Sequence, residues 1–181
     1  LLKNADKFGV DVQVVPPVLW GGEKISSTRI RALVAAGNVA EAAKMLGGYY
    51  FASGRLQVGN QTGTLINVPS ISIKTAKIKP ACGVYATFAE VEGKHYGSVT
   101  SVSVQPDMGP RGDINIETNI FDLISKPYNQ VITVHFVERL RDGMAVAGLD
   151  EPGKQIEKDR ERAQEILQNA QKQTVYKPET V

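Results

Sequence analysis

Six short runs between residues 51 and 138, each closed by glycine or another turn former, constrain this chain most. They are Phe51 to Val58, Leu65 to Ile73, Val84 to Val91, Tyr96 to Val104, Ile114 to Phe121 and Val131 to Glu138. Gly59, Gly63, Gly93, Gly109 and Gly112 punctuate them. Short strands at such spacing predict an antiparallel barrel or sandwich rather than a parallel sheet, and six are enough to close a small barrel.

The flanks follow a different period. Residues 9–15, G-V-D-V-Q-V-V, read as a strand stopped by Pro16 and Pro17, because proline cannot donate to a ladder. Ser26, Ser27 and Thr28 then offer helix-capping hydroxyls, Ile30, Leu33 and Val34 form an apolar stripe, and Gly37 is placed to end that helix. A second helix with Val39, Ala42, Ala43 and Leu46 inward closes at Gly47 and Gly48. At the other end, residues 153–172 place Ile156, Ala163, Ile166, Leu167 and Ala170 at helical spacing, predicting an amphipathic helix packed outside the barrel.

Composition narrows the function classes. At 181 residues and 42% hydrophobic content, the chain holds one domain plus an appendage, since domains run to roughly 100 to 200 residues. A net charge of +2 gives no field suited to nucleic acid or anionic lipid, so any anionic ligand must be caught locally. Cys82 is the only cysteine, which excludes an internal disulfide framework and multi-thiolate metal sites and suits reduced cytoplasm. His95 and His135 stand alone in strand-like segments, a spacing that argues for surface or partly packed positions over zinc. No apolar run approaches the ~20 residues of a bilayer span, so the expectation is a soluble, cytoplasmic protein without a membrane or nucleic-acid partner.

Within the strand pattern, D-I-N-I-E-T-N-I-F-D carries the most chemistry. Alternation puts Ile114, Ile116 and Thr118 on one face and Asn115, Glu117 and Asn119 on the other. Glu117 is therefore either a solvated strand glutamate or a carboxylate poised to take a proton from a substrate hydroxyl. Gly54, Gly59 and Gly63 serve as hairpin turns or as backbone that lets a phosphate approach. Ser70 and Ser72, two apart on one strand face, are either polar surface or ligands for magnesium and phosphate. I-S-S-T-R-I-R, residues 25–31, is either a capped surface helix or a polyphosphate-binding helix start.

Taken in order, these segments resemble the bifunctional bacterial riboflavin kinase and FMN adenylyltransferase family. I-S-S-T-R-I-R with G-N-V-A-E-A-A-K-M-L-G-G-Y-Y resembles the end of the adenylyltransferase half and the entry to the kinase. G-R-L-Q-V-G, N-V-P-S-I-S-I, P-A-C-G-V-Y-A, I-E-T-N-I-F-D, V-H-F-V-E-R-L-R-D and Q-I-E-K-D-R-E-R-A resemble successive kinase landmarks. The resemblance implies a mainly β fold, a six-stranded antiparallel Greek-key barrel with a C-terminal helix, preceded by a short α/β remnant. It divides the chain into an adenylyltransferase remnant (1–48), a kinase barrel with its helix (49–175) and a tail (176–181).

The implied reaction passes the ATP γ-phosphoryl group to the 5′-hydroxyl of riboflavin, giving FMN and ADP, with magnesium. Glu117 falls on the family's catalytic glutamate. Ser70 and Ser72 fall where the family's proline-threonine-alanine-asparagine signature holds magnesium and nucleotide phosphates, Ser70 as the metal ligand. Gly54, Gly59, Gly63 and Arg141 fall among the nucleotide contacts. Ser26, Ser27, Thr28 and Arg31 would touch ATP only with an upstream adenylyltransferase domain of the same gene product.

The chain departs from the family pattern at Thr64, Asn67, Ser72, Gln105, Asp107, Gly143 and Val146. Serine lacks the paired donor and acceptor of an asparagine amide, and Asp107 adds negative charge near a polyphosphate. The alternative expectation is therefore a catalytically impaired barrel that binds flavin or nucleotide and supports an adenylyltransferase domain.

Overall fold

A computed structural model describes residues 8–9, 11–57, 70–104, 114–123, 130–143 and 152–173. Six strands make the body: β3 (Tyr50–Gln57), β4 (Ser70–Ile73), β5 (Gly83–Val91), β6 (Lys94–Val104), β7 (Ile114–Ile120) and β8 (Val131–Asp142). They pair antiparallel in the order β3-β4-β7-β6-β5-β8, and β8 returns to β3 to close a barrel. In the run β8-β5-β6-β7, a three-strand meander is flanked by the strand that follows it, which is Greek-key connectivity. Among the described residues, closure leaves this six-stranded sheet without a free edge strand. The Gly-punctuated pattern thus yields the barrel it predicts, although only residues 70–73 of the second run lie among the described strand residues.

Alternation decides what fills the barrel. Ile71, Ile73, Tyr85, Ala89, Val91, Val102, Ile116, Ile120, Ile132, Val134 and Phe136 point inward and pack as one cluster. Among them runs a polar thread. The Thr87 hydroxyl lies 2.7 Å from those of both Ser98 and Thr100, and Thr100 reaches Thr118; all four residues are buried. Each buried hydroxyl is satisfied by its neighbour across the ladder, so the thread is stable only as a unit. Thr100→Val strands its partners and should cost about 1–3 kcal/mol. A melting experiment checks this: Thr87→Val, Thr100→Val and Thr118→Val combined should cost less than the sum of the singles, and simple additivity would contradict a shared network.

The outer faces carry a second apolar layer. Helix α3 (Pro152–Gln173) lays Ala163, Leu167 and Ala170 on Ala86, Phe88, Phe121 and Val137. Gly97 permits that approach: a Cβ there would stand 3.0 Å from the Phe121 ring and 3.3 Å from Leu167. Asp159, buried on the same helix, takes the Arg141 guanidinium through Nε and Nη2 at 2.8–3.0 Å and the Gln155 amide at 2.9 Å. Ile156, expected inward, is exposed, since the helix is anchored there by Asp159.

Two short helices cover one end of the barrel. Helix α1 (Ser27–Ala35) is capped by the Ser26 hydroxyl, which accepts from the Arg29 amide, and Gly37 follows at φ +82°. Helix α2 (Val39–Leu46) ends at Gly47 in the left-handed conformation. Val39 joins the inner cluster with Tyr85 and Phe136, so α2 belongs physically to the barrel. Its inward residue near the end is Met45 rather than Leu46, which is exposed.

Of the strand expected over residues 9–15, residues 9 and 11–15 are described and are not strand. Residues 11–18 adopt no regular structure, with Val14 and Val15 largely exposed, and among the described residues no strand pairs with them to complete a ladder. In its place is a small hairpin, β1 (Leu19–Trp20) with β2 (Glu23–Lys24), tied to α2 by the Trp20 indole donating to Glu41.

Candidate active site

Strand β7 presents its polar face outward. Ile116, Thr118 and Ile120 are buried inside the barrel, whereas Glu117 is exposed and Asn115 and Asn119 are partly exposed. Ladder register sets Glu117 opposite Ser72 on β4 and opposite Ser101 on β6. The Ser72 hydroxyl donates to Asn115 Oδ1 at 2.7 Å, and the Asn115 amide donates to Glu117 Oε1 at 2.8 Å. A hydroxyl, a carboxamide and a carboxylate are thus joined into one row across two strands. The β4–β7 register sets Ser72 beside Glu117. Sequence reasoning put Asn115 on that face without giving it a task, although residues two apart on one strand are neighbours.

Other expected site residues divide. Ser70 lies on β4 with its backbone paired to Asn119. Gly54 is held by packing: a Cβ there would sit 2.3 Å from the Lys74 carbonyl oxygen, so β3 and the end of β4 cross too closely for any side chain. Arg141 has its guanidinium committed to Asp159 and to the Asp142 carbonyl. Ser26 caps its helix, and Ser27, Thr28 and Arg31 are exposed on it, away from the β7 row in sequence and element. Gly59, Gly63, Thr64, Asn67, Gln105, Asp107 and Val146 lie outside the described residues.

Further along the same outer face, a cleft of about 260 Å³ opens between α3 and the barrel, walled by Phe88, Gly97, Phe121 and Leu167 with Asp122 at its edge. On β7 this cleft begins four residues beyond Glu117, about 13 Å at strand rise. Asp122 holds φ +57°, a left-handed turn that ends the strand beside the cleft.

The model for riboflavin kinase, the flavokinase family, matches residues 46–167. The chain belongs to the riboflavin kinase family. It is 32% identical over 154 residues to the bifunctional riboflavin kinase/FMN adenylyltransferase of Bacillus subtilis, covering 83% of this chain and 49% of that protein. The protein of the same description from Escherichia coli K12 is 31% identical over 172 residues, covering 92% and 54%. A crystal structure described as a macrolide-efflux protein from Streptococcus pneumoniae superposes with a TM-score of 0.79 at 33% identity, covering 90% and 53%. Efflux is a statement about that protein. The chain spans about half the length of the curated relatives it matches. Among the described residues, no helix is long and apolar enough to cross a membrane. A riboflavin kinase barrel accounts for the whole β body here, from the closing of the ladder to the α3 seat.

A second polar group stands at the far end of β5 and β6, where riboflavin kinase resemblance assigns nothing. Register sets Glu90 opposite His95, and β8 brings His135 beside both. The His135 Nε2 lies 3.3 Å from Glu90 Oε2, and the two imidazole rings are 5.5 Å apart. Burial pushes His135 below the usual histidine range against the pull of Glu90, with His95 and Lys77 adding to the fall. Linear spacing gave no sign of this group because it is made by three strands.

Proposed function

We propose that the chain transfers the ATP γ-phosphoryl group to the 5′-hydroxyl of riboflavin. The observation that carries this reading is the row Ser72, Asn115, Glu117, fixed by ladder register on the outer face of a riboflavin kinase barrel. Glu117 is placed to accept the hydroxyl proton as the new P–O bond forms and the bond to ADP breaks. In phosphoryl transfer the protein contributes mainly position and charge neutralisation, so rigidity of this row matters more than its basicity.

The metal-ligating atoms that Ser72, Asn115 and Glu117 can offer are oxygens of a hydroxyl, a carboxamide and a carboxylate, the kind that a hard divalent cation accepts. Magnesium fits these oxygens, Ser70 is the further ligand that the family resemblance implies, and a bound ion would neutralise charge on the nucleotide phosphates. Asn115 holds the Glu117 carboxylate in place, and Ser72 in turn fixes the carboxamide so that its nitrogen faces Glu117. The Phe88–Phe121 cleft is our seat for the flavin ring. Its distance from Glu117 along the strand is on the scale of a tricyclic ring bearing an extended five-carbon chain.

Residues 1–48 we assign to the end of an adenylyltransferase half, with Ser26, Ser27, Thr28 and Arg31 as nucleotide contacts of that half. Support comes from the matched span in the bifunctional relatives, which reaches beyond the kinase model toward the N-terminal side. Partners in this reading are riboflavin, FMN, ATP and ADP, and the location is cytoplasmic.

A second reading rests on one contact. The Ser72 hydroxyl is already donated to Asn115, which suits a barrel that binds flavin without phosphorylating it. Riboflavin fluorescence titration with and without ADP, followed by chromatography of flavins after addition of magnesium and ATP, separates the two. FMN formation is expected; binding with riboflavin recovered intact would establish the binding-only reading.

A further inference from the structure

We propose that Glu90, His95 and His135 form a binding site for a late first-row divalent cation, zinc being the reference ion, on the outer face of the barrel. Their candidate ligand atoms all lie within 4.8 Å of one another. Both Nε2 atoms converge on a single carboxylate oxygen, Glu90 Oε2, at 3.3 Å for His135 and 3.9 Å for His95. Tetrahedral zinc with bonds of about 2.0–2.1 Å places its ligand atoms about 3.4 Å apart. Of the three pairs, Glu90–His135 already meets that spacing, and rotation of the exposed His95 ring adjusts the two that involve His95.

The backbone fixes the group in advance. Glu90 and His95 face each other across the β5–β6 ladder, two steps from the tight turn at Glu92 and Gly93. His135 is held on the opposite side by the Phe51 ring at 5.6 Å. Two imidazoles and one carboxylate select zinc, nickel or copper over magnesium, which prefers an all-oxygen octahedron. The half-exposed His95 leaves the fourth position open to water. Lys77, whose ammonium lies 3.3 Å from the centre of the Phe51 ring, brings a positive charge to this face.

The site is separate from the proposed catalytic row. His95 lies six residues before Ser101, the β6 partner of Glu117, or about 20 Å along the strand. A bound ion would fasten β5, β6 and β8 together at one rim.

The test uses the full chain with Cys82→Ser, which removes the sole thiol as a competing ligand. Zinc titration by calorimetry should give one ion per chain, undisturbed by a large excess of magnesium, with matching shifts in the ring resonances of both histidines. His95→Ala, at an exposed position, and Glu90→Gln should each weaken zinc about tenfold or more and abolish the zinc-dependent rise in melting temperature. Zinc binding of full strength in both variants, or histidine resonances that ignore zinc in the parent, would overturn the site. Neither readout involves phosphoryl transfer, so failure here leaves the kinase reading untouched.

Discussion

Glu117→Gln is expected to lower kcat for FMN formation by about 10²- to 10⁴-fold, the loss that follows removal of a positioned general base. Glutamine is the informative replacement because Asn115 donates to Glu117 Oε1 at 2.8 Å, and a carboxamide oxygen accepts that bond equally well. The row therefore keeps its geometry while losing its proton acceptor. Glu117 is exposed on a strand whose inward residues carry the packing, so the melting temperature should stay within a degree or two of the parent. Riboflavin affinity should change little, because the proton acceptor is used in the transition state, whereas the ATP affinity falls to the extent that the carboxylate also holds magnesium. Steady-state kinetics beside a fluorescence titration would check both halves. A variant with unchanged kcat removes Glu117 from the chemistry; one with normal kcat and raised KM makes it a binding residue only.

The second large effect concerns stability. Asp159→Ala is expected to destabilise the fold by about 3 kcal/mol, because removing one member of a buried pair leaves the other charge without compensation. Asp159 is 7% exposed and meets Arg141 through two of its guanidinium nitrogens. In a chain of this length, that loss corresponds to a melting temperature lower by about 6–12 °C. Arg141→Ala combined with Asp159→Ala should recover part of the loss, since no orphaned charge then remains. The same pair bears on Arg141 itself. The family resemblance put Arg141 among the nucleotide contacts, whereas its geometry ties α3 to β8. Arg141→Ala should therefore move the melting temperature more than the KM for ATP, and the opposite ranking would return Arg141 to the nucleotide.

Much of this architecture was legible because alternation and turn residues speak directly about strands. Ile114 to Ile120 shows the case at its clearest: alternate residues are Ile, Ile, Thr and Ile, and the structure buries Ile116, Thr118 and Ile120 while leaving Glu117 outside. Capping was equally readable at Ser26 and Gly47, where hydroxyl and left-handed glycine do what their chemistry suits them to do. The failure over residues 11–15 has the opposite cause. A valine-rich run declares strand propensity, but a strand exists only with a neighbour, and the described residues provide none there.

What stayed hidden is what depends on three elements at once. Glu90 and His135 lie 45 residues apart, and only the β5–β8 pairing brings His135 to the β5–β6 hairpin that carries Glu90 and His95. The Arg141–Asp159 pair likewise needs α3 to find its seat beside β8. The Thr87–Ser98–Thr100–Thr118 thread gave no local signal, because threonine is equally at home on the solvated face of a strand. Ser72 shows an intermediate case: its face was readable, but its bond to Asn115 required the β4–β7 register.

The central claim, that this barrel moves a phosphoryl group from ATP to a flavin alcohol, is tested most directly by label transfer. With γ-labelled ATP, magnesium and riboflavin, the label should appear in FMN in step with ADP release, and should stay in ATP when Glu117→Gln replaces the parent. Label released as inorganic phosphate, or retained in ATP while riboflavin is demonstrably bound to the parent chain, would contradict it.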